Sequence, residues 1–218
     1  MGDNTADNYF LHCYLSWLAE NDLDWAIWAL QGSYYLRDGK HDPDETYGMF
    51  NSSWGPVRSP EFHTKLQLIQ RTLIDPSSKA KKYLILYHPA TGHCAKAVGN
   101  EVRATECWDV SKWSHAGEGT PIRLEGTDLC LTAIGDGLPV ALTNECTSER
   151  STWKLALNSQ HQLVNKDSNG NDLCLEFDPN YSKKVLTSKC IVSEEDDDDA
   201  IKLRNPQGQW FKLITSNV

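Results

Sequence analysis

Gly126-Thr127-Asp128-Leu129-Cys130-Leu131 returns forty-odd residues later as Gly170-Asn171-Asp172-Leu173-Cys174-Leu175, and a shorter form stands earlier as Gly92-His93-Cys94-Ala95. Self-similarity at this period marks a repeat. Each copy has a second half: Val102-Arg103-Ala104-Thr105-Glu106-Cys107, Ala141-Leu142-Thr143-Asn144-Glu145-Cys146 and Val185-Leu186-Thr187-Ser188-Lys189-Cys190. A tryptophan follows each second cysteine, at Trp113, Trp153 and Trp210. Every unit therefore reads as a strand, a Gly/Asn/Asp turn, a second strand and a Trp-bearing segment. One such unit cannot bury both faces of its strands. Three packed about a pseudo-threefold axis can, with Trp113, Trp153 and Trp210 as the candidates for the shared core. Pairing each cysteine across its own turn gives Cys94–Cys107, Cys130–Cys146 and Cys174–Cys190, with Cys13 left over. Each closed loop is worth roughly 3 kcal/mol from chain entropy. The alternative, a zinc site, prefers C-x2-4-C spacing.

These residues make 80–218 resemble the ricin B-type lectin domain, a β-trefoil of three units each ending in Q-x-W. The repeats run over about 83–124, 125–164 and 165–218. The corresponding triplets here are Ser111-Lys112-Trp113, Ser151-Thr152-Trp153 and Gly208-Gln209-Trp210, which keep the tryptophan and lose the glutamine. The resemblance implies a sugar-gripping Asp two residues after the first cysteine and a stacking aromatic two residues before the second. Lys96, Thr132 and Glu176 occupy the first position, and Thr105, Asn144 and Ser188 the second. Only Glu176 keeps a carboxylate. A sugar site needs a platform and converging polar groups, so these positions read as degenerate, while Trp108, Phe177 and Tyr181 are aromatics available for a different site. Between Cys190 and Trp210 lies an insertion bearing Glu194-Glu195-Asp196-Asp197-Asp198-Asp199, which reads as a solvated loop; calcium is the sharper alternative.

Residues 1–77 are organised differently. Leu11, Tyr14, Leu15 and Leu18 give 8–20 the spacing of an amphipathic helix. Trp25-Ala26-Ile27-Trp28-Ala29-Leu30 reads as a strand buried on both faces. A loop follows over roughly 31–58. Ser59 as N-cap and Pro60 at the first turn open a second helix, whose apolar face holds Phe62, Leu66, Ile69 and Leu73. Asp24 to Arg37 (DWAIWALQGSYYLR) and Asp44-Glu45-Thr46-Tyr47-Gly48-Met49 resemble the eighth strand, and the loop after it, of plant-type, cellulase-like members of glycoside hydrolase family 5. That resemblance implies a C-terminal fragment of a (β/α)8 barrel over 1–77, with Trp28 stacking on substrate. It also implies two catalytic carboxylates, one in an Asn-Glu-Pro motif. No such motif occurs, and Asn100-Glu101 and Asn144-Glu145 continue into Val and Cys. Nothing assigns Glu20 or Glu45 to catalysis. The chain is therefore expected to carry no catalytic residue of its own and to be inactive alone.

The formal charge of −9 divides as 5 basic against 11 acidic residues up to 78 and 16 against 19 beyond it. Neither part offers the positive field that phosphates need, so nucleic acid is not expected as a partner, and no run of 18 apolar residues reads as a membrane span. No metal or cofactor is expected. The first ten residues lack a signal peptide, yet the cysteines suit an oxidising compartment. We expect a secreted parent protein for which Met1 is not the ancestral start, with Asn51 and Asn180 as sequon asparagines. The expected function is the C-terminal portion of a polysaccharide-degrading hydrolase carrying a carbohydrate-binding-type module. The alternatives are a stand-alone binding module, a purely structural trefoil, and a trefoil protease inhibitor, which the cysteine repeat does not suit.

Overall fold

The computed structural model describes residues 5–45, 47–156, 161–178, 183–191 and 206–218. These are mainly β, with two α-helices. Helix α1 spans Thr5–Asn21 and α2 spans Pro60–Leu66, continued by a 3-10 turn over Leu68–Gln70. Two-residue strands β1 (Leu36–Arg37) and β2 (Lys40–His41) form a small hairpin between them. The first unit then supplies β3 (Tyr83–His88), β4 (His93–Val98), β5 (Glu101–Glu106) and β6 (Trp113–Ser114). In the second lie β7 (Thr120–Pro121), β8 (Arg123–Leu124), β9 (Cys130–Thr132), β10 (Leu138–Pro139), β11 (Ala141–Thr143) and β12 (Thr152–Leu155). The third holds β13 (Leu163–Lys166), β14 (Asp172–Phe177), β15 (Val185–Lys189) and β16 (Lys212–Ser216).

All named pairings are antiparallel. One sheet runs β16-β3-β4-β5-β11-β9-β8-β6, and β6 also pairs with β3, closing seven strands into a ring; the other runs β10-β15-β14-β13-β12-β7. Disulfides close three hairpins: Cys94–Cys107 on β4–β5, Cys130–Cys146 on β9–β11 and Cys174–Cys190 on β14–β15. Each hairpin begins near a glycine with positive φ, at Gly92, Gly126 and Gly170, a conformation that costs a side-chain-bearing residue about 1 kcal/mol or more.

Two cores result. The first gathers Trp113, Trp153 and Phe211 with aliphatic residues of all three units, including Leu86, Leu131 and Leu175. The second joins Leu15, Leu18 and Ala19 of α1, and Phe62, Leu66, Leu68, Ile69 and Leu73, to Tyr83, Ile85, Tyr87, Ile214 and the first disulfide. Alternation along β3 explains the division: Leu84 and Leu86 point into one core, Tyr83, Ile85 and Tyr87 into the other. The N-terminal segment is thus held by apolar packing on the first unit and on β16 of the third, with the Lys212–Glu20 ion pair at 3.0 Å tying α1 to β16.

Three expectations need correction. Residues 25–30 form no strand; positions 25, 27 and 29 are half-buried while 26, 28 and 30 are exposed. No strand among the described residues lies alongside to pair with it; the carbonyls of Ala29 and Leu30 accept from Met49 N and Phe50 N, at 2.9 and 3.3 Å. An unpaired parallel strand cannot satisfy its amides. Helix α2 is shorter than its apolar face suggested, although Phe62, Leu66, Ile69 and Leu73 are all buried. The third central aromatic is Phe211 and not Trp210. Trp210 instead packs edge-on against Tyr9 of α1, 5.1 Å between ring centroids, and beside His161.

Candidate functional site

Placing Phe211 beside Trp113 and Trp153 moves the third triplet by one residue, to Gln209-Trp210-Phe211. Gln209 then stands where Ser111 and Ser151 stand, so the third unit keeps the glutamine that counting from Trp210 had denied it. Gln209 is fully buried. Its Nε2 donates to Lys189 O at 2.9 Å, Ser188 Oγ at 3.2 Å and Glu176 Oε2 at 3.3 Å, and its Oε1 accepts from Ile191 N at 2.9 Å and Gln162 Nε2 at 3.0 Å. Ser151 plays a smaller version of this part, with its hydroxyl 2.9 Å from Thr132 Oγ1 and donating to Glu145 O at 3.0 Å. Ser111 Oγ accepts from Ala97 N at 2.8 Å.

The structure gathers Glu176, Ser188 and Gln209 at the third hairpin, and Thr132, Thr143 and Ser151 at the second. Strand register explains the difference from the sequence count. Thr105 lies opposite Cys94 and Ser188 opposite Cys174, but Thr143, not Asn144, lies opposite Cys130. Asn144 is exposed and one residue past the paired position. Lys96 forms an ion pair with Asp109. All three register positions therefore hold small hydroxyl side chains, and among the described residues no aromatic platform faces Lys96, Thr132 or Glu176 across its hairpin. Phe177 does not supply one, being 3% exposed in the first core against His88 and His93.

Burial around Phe177 also shapes the local electrostatics. His88 is fully enclosed, hydrogen-bonded through Nδ1 to Thr91 Oγ1 at 2.9 Å and through Nε2 to Gly208 O at 3.2 Å. Burial holds its pKa down, to about 3. His12 on α1 is lowered to about 4, first by burial and then by the Lys65 cation. Loss of solvent raises the Tyr87 phenol.

In the N-terminal segment, Trp28 is 73% exposed. Glu45 is buried, with Oε1 accepting the Tyr47 N–H at 3.0 Å. Asn51 uses Oδ1 to accept from Ser53 N, Ser53 Oγ and Gly55 N. Asn180, Tyr181 and the acidic run 194–199 lie outside the described residues. Among the described residues no cluster of three or more His, Cys, Asp or Glu could hold a metal ion, and no helix is long and apolar enough to cross a membrane.

No family model matches the chain. It is similar to a protein of Chamaecyparis obtusa named glycosyl hydrolase 5 family protein, 39% identical over 226 aligned positions that take in 98% of this chain. The chain spans 40% of that relative's length. Among solved structures it is similar to a mosquitocidal holotoxin, with TM-score 0.41 and 13% identity over 66% of this chain and 17% of the toxin. It is also similar to the hemolytic lectin CEL-III, with TM-score 0.39 and 17% identity over 62% of this chain and 33% of the lectin.

Proposed function

We propose that the chain is the C-terminal portion of a secreted family 5 glycoside hydrolase, in which a barrel fragment over 1–77 leads into a ricin B-like β-trefoil over 80–218. One observation carries the reading: almost the whole chain is 39% identical to part of a protein named for that family. The three disulfide-closed hairpins around Trp113, Trp153 and Phe211 support the trefoil. Retaining hydrolysis needs two carboxylates about 5 Å apart at the cleaved bond. Glu20 pairs with Lys212 and Glu45 is enclosed, so neither serves, and the chain alone is inactive. In the parent protein Trp28 is the substrate-stacking residue, Asn51 and Asn180 are glycosylation sites, and the partner is a polysaccharide. The coding sequence ahead of Met1, read in frame, tests this. An Asn-Glu-Pro motif and a later strand-end Glu there support the family; a stop codon close to Met1 overturns it. Release of reducing sugar from carboxymethylcellulose by the purified chain would overturn its inactivity.

A second reading has its own support. Thr105, Thr143 and Ser188 put hydroxyl side chains, not aromatics, opposite the first cysteine of each hairpin, which favours a trefoil that steadies the barrel and binds nothing. A flat response of the full chain on a glycan array would favour that role.

A further inference from the structure

Helix α1 is apolar on two sides. Leu15, Leu18 and Ala19 face the second core. On the opposite side Phe10, Tyr14 and Trp17 stand at i, i+4 and i+7, the spacing of a single stripe, and they are 71%, 42% and 53% exposed. Their rings form a continuous row. Phe10 and Tyr14 stack with centroids 5.8 Å apart and 7° between planes, and Tyr14 and Trp17 follow at 6.4 Å and 25°. The free thiol of Cys13 is exposed beside this row. A helix that is apolar all round belongs to an interior with neighbours on every side, and α1 has them on one side only. The shortage is local to this part of the chain. Of the fifteen large apolar side chains exposed among the described residues, ten lie in 1–77 and five in 80–218.

The size of the stripe decides what covers it. Aromatic side chains bury roughly 150–250 Å² each, so at these exposures the three rings offer roughly 300 Å². Two stripes pressed together would bury about 600 Å², half of the ~1,200 Å² at which stable interfaces between separate chains begin. A second copy is therefore held too weakly. A partner within one polypeptide needs far less area, because the connection keeps it at an effective concentration of about millimolar. The Chamaecyparis protein has such a partner to offer, since this chain spans 40% of its length. Resting on the family reading above, we propose that the Phe10–Tyr14–Trp17 face of α1 is the seam against which the remaining part of the parent hydrolase docks. Helix α1 is then clasped between that part and the three-unit module, and the Cys13 thiol is enclosed.

Co-expression of the full chain with the portion of the Chamaecyparis protein outside the aligned span tests the seam. The two should co-purify, and maleimide labelling of Cys13, fast in the chain alone, should slow tenfold or more. Phe10→Lys and Trp17→Lys should each abolish co-purification with an unchanged thermal midpoint of the chain. Leu138→Lys, which charges an exposed apolar position on β10, should leave it intact. Co-purification that survives both α1 variants overturns the seam and leaves the proposed function standing. A chain that sediments alone as a dimer, dissociated by Trp17→Lys, gives the stripe to a second copy and overturns it too. So does a portion captured by its own aligned span but not by this chain. The family reading is decided separately by the sequence ahead of Met1.

Discussion

Gln209 holds the end of the third hairpin by accepting the Ile191 N–H at 2.9 Å from a position with no solvent exposure. The same side chain satisfies the Lys189 carbonyl at 2.9 Å. A buried donor or acceptor left without a partner costs about 1–3 kcal/mol. Gln209→Ala strands both backbone groups at once, so denaturant unfolding should show a loss of about 3 kcal/mol. Ser111→Ala, which removes only one acceptor from a less buried place, should cost about 1 kcal/mol.

The two central tryptophans should respond unequally to the same substitution. Trp153 donates its Nε1–H to Leu131 O at 2.9 Å, whereas Trp113 Nε1 is buried with no hydrogen-bond partner among the described residues. Phenylalanine removes similar volume from each. Trp153→Phe also breaks a bond and leaves a carbonyl short, so it should be the costlier change by about 1 kcal/mol. Equal midpoints in urea would show that the indole bond contributes nothing.

At the hairpin glycines an alanine scan should single out the first unit. Gly92 has φ of 75°, and a Cβ there would lie 2.2 Å from Thr64 O, inside α2. Gly126 has φ of 78° and nothing within 4 Å of the same point. Gly126→Ala should cost about 1–2 kcal/mol, the left-handed penalty alone. Gly92→Ala must also push α2 off the hairpin. Its destabilisation should be larger, accompanied by faster amide exchange in 60–70.

Acid should weaken the fold before the carboxylates protonate. His88 has a folded pKa of about 3, below its ordinary value near 6.5 in the unfolded chain. Between these values the unfolded chain binds a proton that the folded chain lacks. Stability is therefore full above about pH 6.5 and is lost as pH falls toward 3, by up to about 1.4 kcal/mol per pH unit. His12 and His93 are lowered in the same direction and face the same region. Glu101 and Asp167, held low by their hydrogen-bond partners, add to the acid loss only near and below pH 4.5. Melting between pH 6.5 and 5 thus isolates the histidines, and His88→Gln should flatten the slope there.

What could be read in the sequence was whatever is closed locally. Each cysteine pair sits across its own hairpin, and each hairpin starts beside a glycine, so no long-range knowledge was needed. The last triplet is not legible in this way, because the insertion after Cys190 removes any count and Trp210 stands beside Phe211. Only burial shows that Phe211 fills the centre while Trp210 turns to α1. Counting two residues back from Cys146 likewise reaches Asn144, whereas strand pairing puts Thr143 opposite Cys130. Residues 25–30 defeated the reading for another reason: an apolar run states an appetite for neighbours but not whether they are present.

Strand β3 is buried on both faces, serving the three-unit core with its even residues and the helical segment with its odd ones. A module joined to its host by a flexible tether can be cut out and pasted elsewhere in the course of gene rearrangement. This one cannot be excised so freely, because separation at the junction would bare Tyr83, Ile85, Tyr87 and Ile214 to water. The first and third repeats are therefore committed to this packing, through β3 and β16. Inheritance as a pair follows, and substitutions on either side of that face should be free to change only in step.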